Sequence, residues 1–100
     1  MRKLVFTSHS SKDFRQARRW YEEQREGLGP KFMDAANATL MHIQRAPLSF
    51  QEVLAPFRRA VIRRFPYELF CTFDDHRVLV VMLFHTARDP AVALARLRNH

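Results

Sequence analysis

The sequence predicts an α+β protein in which an N-terminal strand and a helical hairpin pack on one face of an antiparallel sheet of about four strands, with a short C-terminal helix. Two helical patterns joined by a glycine- and proline-containing turn occupy the first half of the chain, and strong β-formers are concentrated in the second half. The length of 100 residues suffices for one compact domain but not for two. We therefore expect residues 1–100 to form a single domain.

A strand and a helix open the chain. Residues 2–7 (RKLVFT) combine β-branched and aromatic side chains without a helical period, which predicts a strand that joins the later sheet. Ser10 followed by Asp13 has the spacing of a capping box, which predicts a helix from about Ser11 to Gly27. The apolar residues expected on its buried side are Phe14, Ala17, Trp20 and Tyr21.

A second helix follows a break at Gly27, Gly29 and Pro30. Glycine ends a helix readily and proline is favoured at the first helical position, so this helix should run from Pro30 to about Arg45 and stop before Pro47. Because the connection is short, the two helices should form an antiparallel hairpin. The buried stripe of the second helix is predicted to consist of Phe32, Ala36, Leu40 and Ile43.

Three strands are predicted in the second half of the chain, at residues 57–64, 67–74 and 77–85. Asp74, Asp75 and His76 suit a hairpin turn between the last two strands. Pro66 closes the first of the three, because proline cannot donate a hydrogen bond to a sheet.

Two shorter segments flank these strands. Residues 49–56 fit either a short strand or a loop that packs inward. Asp89 is a suitable N-cap and Pro90 a suitable first helical residue, which predicts a last helix over residues 91–97.

The net charge is +7, and 14 of the 17 basic residues are arginine, whose planar guanidinium group suits phosphates and carboxylates. The composition indicates either an acidic partner or a solvated basic surface. On the first helix, two arginine–glutamate pairs are four residues apart, although in the less favourable charge order: Arg18 with Glu22 and Arg19 with Glu23.

Cysteine usage and hydropathy favour a cytoplasmic protein, and the apolar stripes of the two helices carry no cofactor-binding motif. Cys71 is the one cysteine, so no intramolecular disulfide forms, and it should pack as a small apolar group. Neither a leader segment nor a membrane-spanning run is indicated. His9, His42 and His76 are too scattered to predict a metal site.

Arginines alternate with apolar residues on the strand at residues 57–64. Alternation puts Arg59, Val61 and Arg63 on one side and Arg58, Ala60, Ile62 and Arg64 on the other. In the last strand Leu79, Val81, Leu83 and His85 should share a side. A histidine and several arginines would then meet at one end of the sheet face that the helices leave open.

Such a cluster has two interpretations. His85 could transfer a proton while arginines hold a phosphate during phosphoryl transfer. Alternatively, His85 is a strand-end histidine with its hydrogen bonds satisfied, and the arginines form a solvated or partner-facing strip. No Ser/His/Asp order, glycine-rich phosphate loop or HExxH motif indicates another enzyme.

Four segments carry a resemblance to the RelE/ParE superfamily, the small basic toxins of bacterial type II toxin-antitoxin systems. They are WYEEQREGLGPKF in the hairpin, IRRFPYELFCTF, the Asp74-Asp75 turn and LFHTARDP. The resemblance covers nearly the whole chain. It implies a helical hairpin on a curved antiparallel sheet, and an antitoxin that wraps an otherwise disordered segment along the toxin's apolar and basic surfaces.

The RelE-like branch cuts messenger RNA on the ribosome. The resemblance implies that Arg63, His85 and Arg88 would be the catalytic residues if this chain were such a ribonuclease. However, no lysine follows Lys31 and no tyrosine follows Arg88, so two parts of the RelE constellation are missing. Glu52 is the nearest carboxylate that could replace the missing base.

The ParE-like branch instead poisons DNA gyrase and needs a binding surface rather than a complete nuclease site. The incomplete constellation makes the sequence more similar to this branch. A third hypothesis, outside the family, is a non-catalytic nucleic-acid-binding module. The arginines expected to contact a target or an antitoxin are Arg58, Arg59, Arg64, Arg96 and Arg98.

Overall fold

The computed structural model describes residues 1–100 and confirms the predicted α+β class. The chain forms a strand, two long helices, four further strands and a final helix. The elements are β1 (Lys3–Phe6), α1 (Ser8–Gln24), α2 (Leu28–Arg45), β2 (Gln51–Leu54), β3 (Phe57–Val61), β4 (Tyr67–Phe73), β5 (Arg77–His85) and α3 (Pro90–Arg98). No helix is both long enough and apolar enough to cross a membrane.

The sheet has five strands in the order β1-β5-β4-β3-β2, one more than expected. The unassigned segment at residues 49–56 contributes the extra edge strand, β2. The expectation of a wholly antiparallel sheet is wrong in one place, because β1 runs parallel to β5, with Lys3 opposite Arg77. The first strand thus lies beside the last one, and β5 has a hydrogen-bonded neighbour on both sides.

Two apolar cores lie on opposite faces of the sheet. The larger core contains the predicted stripe of α2, with Phe32, Ala36, Leu40 and Ile43 all buried against the sheet. The smaller core joins Ala93 and Leu97 of α3 to apolar side chains on the other face. The expectation that helices cover one face only is therefore wrong, since α3 covers part of the second.

A β-bulge in β5 decides which side chains enter each core. Phe70 pairs with Met82 and Cys71 with Val80, so Val81 is an extra residue between them. Leu79, before the bulge, and Val81 itself pack on the α3 side, whereas Leu83 after it packs on the hairpin side. The prediction that Leu79, Val81, Leu83 and His85 share one side is wrong for this reason.

The first helix begins earlier than predicted. Thr7 is its N-cap, and the Thr7 hydroxyl accepts a hydrogen bond from the Ser10 N–H at 3.1 Å. Ser10 is buried and its hydroxyl donates to the Val80 carbonyl at 2.8 Å, while Asp13 accepts from the Leu83 N–H. The predicted capping box is wrong because both side chains bind β5 instead.

Glu22 stabilises the turn between α1 and α2 by hydrogen bonds and forms no ion pair with an arginine. Neither predicted arginine–glutamate pair is among the five ion pairs of the structure. The Glu22 carboxylate accepts from the N–H groups of Gly27 and Gly29, and these hydrogen bonds lower the pKa of Glu22. Gly27 adopts a φ of 88°, where glycine is unstrained. Pro30 is the third residue of α2 and not the first; it is tolerated there because first-turn N–H groups lack partners.

The β4–β5 turn and the cap of α3 form as predicted, whereas Trp20 does not pack in the core. The Asp74 carboxylate accepts from the N–H groups of His76 and Arg77, which forms the predicted turn between β4 and β5. Asp89 caps α3 and Pro90 is its first residue, as predicted. Trp20 was expected to be buried, but 53% of its surface is exposed.

The carboxylate of Glu22 should stabilise the hairpin in a pH-dependent way. Since its folded-state pKa is lowered, its contribution is present at neutral pH and is lost as the pH falls through that pKa, below the ordinary value of 4.5. We expect Glu22→Gln to lower the melting temperature at pH 7, and to narrow the difference from wild type at pH 3. Thermal denaturation followed by circular dichroism measures both effects.

The matched control is Glu23→Gln, which removes an exposed carboxylate without a hydrogen bond in the structure. Equal melting temperatures for the two variants at pH 7 would contradict the role of Glu22.

Candidate functional site

A groove runs between α2 and the end of β3, and we call it the α2–β3 groove. Its volume is about 830 Å³. One wall is the exposed side of α2. The other wall consists of Phe50, of Val61 at the end of β3, and of residues 63–65, which follow β3. The apolar residues that line it are Ala35, Ala38, Phe50, Val61 and Phe65.

The β3 wall of this groove is an open sheet edge. The Ile62 N–H donates to the Tyr67 carbonyl, so alternation along the antiparallel ladder turns the peptide groups of Val61 away from β4. Strand β2 pairs with β3 only as far as Arg59, opposite Gln51. The side chain of Val61 is 62% exposed. This edge is free to pair with another extended segment.

The rim of the groove is mainly cationic. Lys31, Arg63 and Arg64 line it together with His42, against a single carboxylate, Asp34. None of these five residues takes part in an ion pair. The arrangement therefore favours an acidic amphipathic ligand.

Strand β3 is shorter than predicted, and this changes the placement of two arginines. It ends at Val61 rather than Arg64, and Arg64 has a φ of 73°. Alternation thus holds for Arg58, Ala60 and Ile62 on the hairpin side, but it does not extend to Arg63 and Arg64. The N–H groups of residues 63–65 donate to no backbone carbonyl, and both arginine side chains are exposed at the groove.

The three residues predicted for catalysis lie in different surroundings. Arg63 lines the α2–β3 groove, which neither His85 nor Arg88 reaches. The ring of His85 packs on Tyr67 at 4.9 Å, and its Nδ1 accepts from the Ala87 N–H at 3.0 Å. The Arg88 guanidinium lies over the ring of Phe84, which belongs to the smaller core. No hydrogen bond or ion pair joins any two of the three.

Arg58 and Arg59 are held by the sheet itself. Arg58 donates to the Phe50 carbonyl at 2.6 Å and lies 3.9 Å from Glu52. Arg59 donates to Gln51 and lies 3.7 Å from Glu68. Both guanidinium groups already have anionic neighbours, so much of their charge is compensated within the chain.

Arg96 and Arg98 differ although both are on α3. Arg96 donates to the Asp13 carboxylate at 3.3 Å and contacts Nε2 of His9, which ties α3 to α1. Arg98 is exposed and forms no ion pair. Of the five arginines predicted to bind a target or antitoxin, Arg64 and Arg98 present uncompensated charge.

The one cysteine of the chain is a core residue. Cys71 is buried in the larger core, and burial raises the pKa of its thiol to about 11, so the thiol is neutral at physiological pH. The predicted packing as a small apolar group agrees with this position. No cluster of three or more His, Cys, Asp or Glu side chains is arranged to hold a metal ion.

The α2 side of the groove was not predicted from the sequence. Lys31, Ala38 and His42 follow one face of α2, but this face reads as an ordinary solvated surface. The irregular segment containing Phe50 was the available signal, because an aromatic residue in a loop requires a packing partner. Phe50 packs its ring on His42 at 4.8 Å.

Comparison with known proteins identifies a family and several similar solved structures. The family model "ParE toxin of type II toxin-antitoxin system, parDE" matches residues 4–90. The solved structure of the chromosomal ParDE TA system from P. aeruginosa matches with a TM-score of 0.72 and 11% identity, over 85% of this chain and 96% of that chain. At this identity the likeness concerns the fold alone. No curated protein matches the sequence.

The ion pair between Arg96 and Asp13 should stabilise the docking of α3. Both side chains are largely buried, at 26% and 15% exposure. We expect Arg96→Gln to lower the free energy of unfolding by about 1–2 kcal/mol. Urea denaturation measures the loss. Arg98→Gln is the control, and a similar loss in both variants would show that the Asp13 contact contributes nothing.

Proposed function

Because the chain belongs to the ParE toxin family of type II toxin-antitoxin systems, we propose that it inhibits growth by acting on DNA gyrase and that a cognate antitoxin holds it inactive. The family match confirms the resemblance to the RelE/ParE superfamily and to its ParE-like branch. The α2–β3 groove is the observation that carries the antitoxin part of the proposal. We assign it to an acidic, amphipathic segment of the antitoxin.

The groove suits such a segment in three respects. Its apolar lining takes aliphatic side chains of the ligand, and the open edge at Val61 offers peptide groups for strand pairing. Lys31, Arg63 and Arg64 provide charge complementarity for carboxylates. An antitoxin segment that orders on binding would therefore gain apolar burial, backbone hydrogen bonds and ion pairs together.

The gyrase part of the proposal is supported by the positions of Arg63, His85 and Arg88. A ribonuclease would need these groups around one scissile phosphate. Instead Arg63 lies at the groove, His85 accepts a hydrogen bond from the Ala87 N–H, and Arg88 covers Phe84. A binding surface that poisons an enzyme does not require them to meet.

Induced expression should stop growth, and the purified chain should inhibit DNA supercoiling by gyrase and trap cleaved DNA. Since His85 is not required for proton transfer under this proposal, His85→Gln should retain toxicity. Supercoiling and DNA-cleavage assays are compared with a messenger-cleavage assay on translating ribosomes. Cleavage of messenger at the ribosomal A site, abolished by His85→Gln or Arg88→Ala, would establish the RelE-like alternative.

Neutralising the groove rim should weaken capture by the antitoxin. We expect Arg63→Gln with Arg64→Gln to reduce the affinity for the product of the adjoining antitoxin gene by about 10-fold or more, from the loss of two charge-assisted contacts. Titration calorimetry with the two purified proteins measures it. The control carries Arg25→Gln and Arg45→Gln, which remove the same charge elsewhere. An equal effect of both double variants would place the antitoxin outside the groove.

A further inference from the structure

Arg64 has a left-handed backbone conformation on the connection between β3 and β4. Its φ is 73°, and it is the one residue other than glycine in the chain with a positive φ. A residue with a Cβ atom is destabilised in this conformation, because Cβ comes close to the following carbonyl oxygen. Glycine has no Cβ and adopts the conformation without this cost. The backbone therefore favours glycine at position 64, and the chain has arginine there.

The packing on both sides of Arg64 holds the backbone in this conformation. Ile62 is buried, and its N–H donates to the Tyr67 carbonyl at 2.9 Å. The ring of Phe65 packs edge-on against the ring of Phe32 in the larger core, with 5.2 Å between their centroids. Because core contacts fix the chain just before and just after Arg64, this residue cannot relax to a right-handed conformation without moving one of them.

No contact of the Arg64 side chain within the protein offsets this cost. Its guanidinium group donates none of the arginine hydrogen bonds, joins none of the five ion pairs and lies over no aromatic ring. The side chain is exposed and lines the α2–β3 groove. Backbone strain of this kind persists at ligand-binding positions, where the interaction that offsets it is made with the ligand.

The chemistry of the groove indicates which group the ligand brings to Arg64. A guanidinium group is a planar fork of N–H donors that pairs bidentately with a carboxylate. Asp34 is the one carboxylate in the lining, and it forms no ion pair with Arg64. Position 64 thus presents a donor fork at an apolar groove, with no acceptor supplied by the chain itself.

From these observations we propose that Arg64 is a specificity-determining residue of the α2–β3 groove. Its guanidinium group binds one carboxylate of the antitoxin segment, and this contact is gained at the expense of the stability of the free toxin. The assignment of the groove to an antitoxin is taken from the proposed function, on which this role of Arg64 rests. The role adds an opposition between stability and binding at a single residue.

The first part of the test separates backbone strain from charge by thermal denaturation. Arg64→Gly removes both, whereas Arg64→Gln removes the charge and keeps the Cβ atom. We expect the melting temperature of Arg64→Gly to lie about 3–6 °C above that of Arg64→Gln. The matched control is Arg63→Gly, at the neighbouring exposed arginine without a positive φ. It should lower the melting temperature, because glycine there only adds freedom to the unfolded chain.

The second part measures binding of the product of the adjoining antitoxin gene by titration calorimetry. Arg64→Gln and Arg64→Gly should both bind it about 10-fold more weakly than wild type, although Arg64→Gly is the more stable protein. Arg45→Gln removes an exposed charge outside the groove and should bind like wild type.

The carboxylate partner is identified by changing each Asp and Glu of the antitoxin to its amide, one at a time. One of these variants should lose a similar factor against the wild-type toxin and almost nothing further against Arg64→Gln, since the contact is already absent.

Three outcomes would overturn the role of Arg64 and leave the proposed function standing. They are equal melting temperatures of Arg64→Gly and Arg64→Gln, wild-type affinity of Arg64→Gln for the antitoxin, and full additivity of every amide variant with Arg64→Gln. Absence of antitoxin binding by the wild-type chain would instead overturn the antitoxin part of the proposed function, and the role of Arg64 with it.

Discussion

The β-bulge at Val81 is the constraint on which the two-sided architecture depends. With regular alternation, every second side chain from Arg77 to His85 would lie on the same face of β5. The extra residue instead directs Val80 and Leu83 to the hairpin, and Val81 and Met82 to α3. It thereby supplies apolar contacts to both cores from one central strand, and it turns His85 toward Tyr67.

The arginines divide into two groups according to whether the fold uses them. Arg58, Arg59 and Arg96 have carboxylate partners that fix β2, β4 and α1 relative to their neighbours. Arg63 and Arg64 have none and lie where an open strand edge meets an apolar groove. In a ParE-type toxin this division separates side chains that maintain the fold from those available to a partner, and net charge alone cannot make that distinction.

The sequence predicts local features well and contacts between distant segments poorly. The stripe of α2, the Asp74 turn and the Asp89 cap depend on local periodicity and local hydrogen bonds, which are visible in a short window. Ser10 and Asp13 were misread because their partners, Val80 and Leu83, are 70 residues away. The groove was missed for a similar reason, since it exists only where α2, Phe50 and the end of β3 come together.

The parallel pairing of β1 with β5 also bears on how the protein folds during synthesis. Phe6 pairs with Val80, and the larger core includes Val78, Val80 and Leu83. Because these contacts are far apart in sequence, the hairpin made first has no complete surface to pack on until β5 has been synthesised. The larger core and the α2–β3 groove can therefore form during translation only after β5 has left the ribosome.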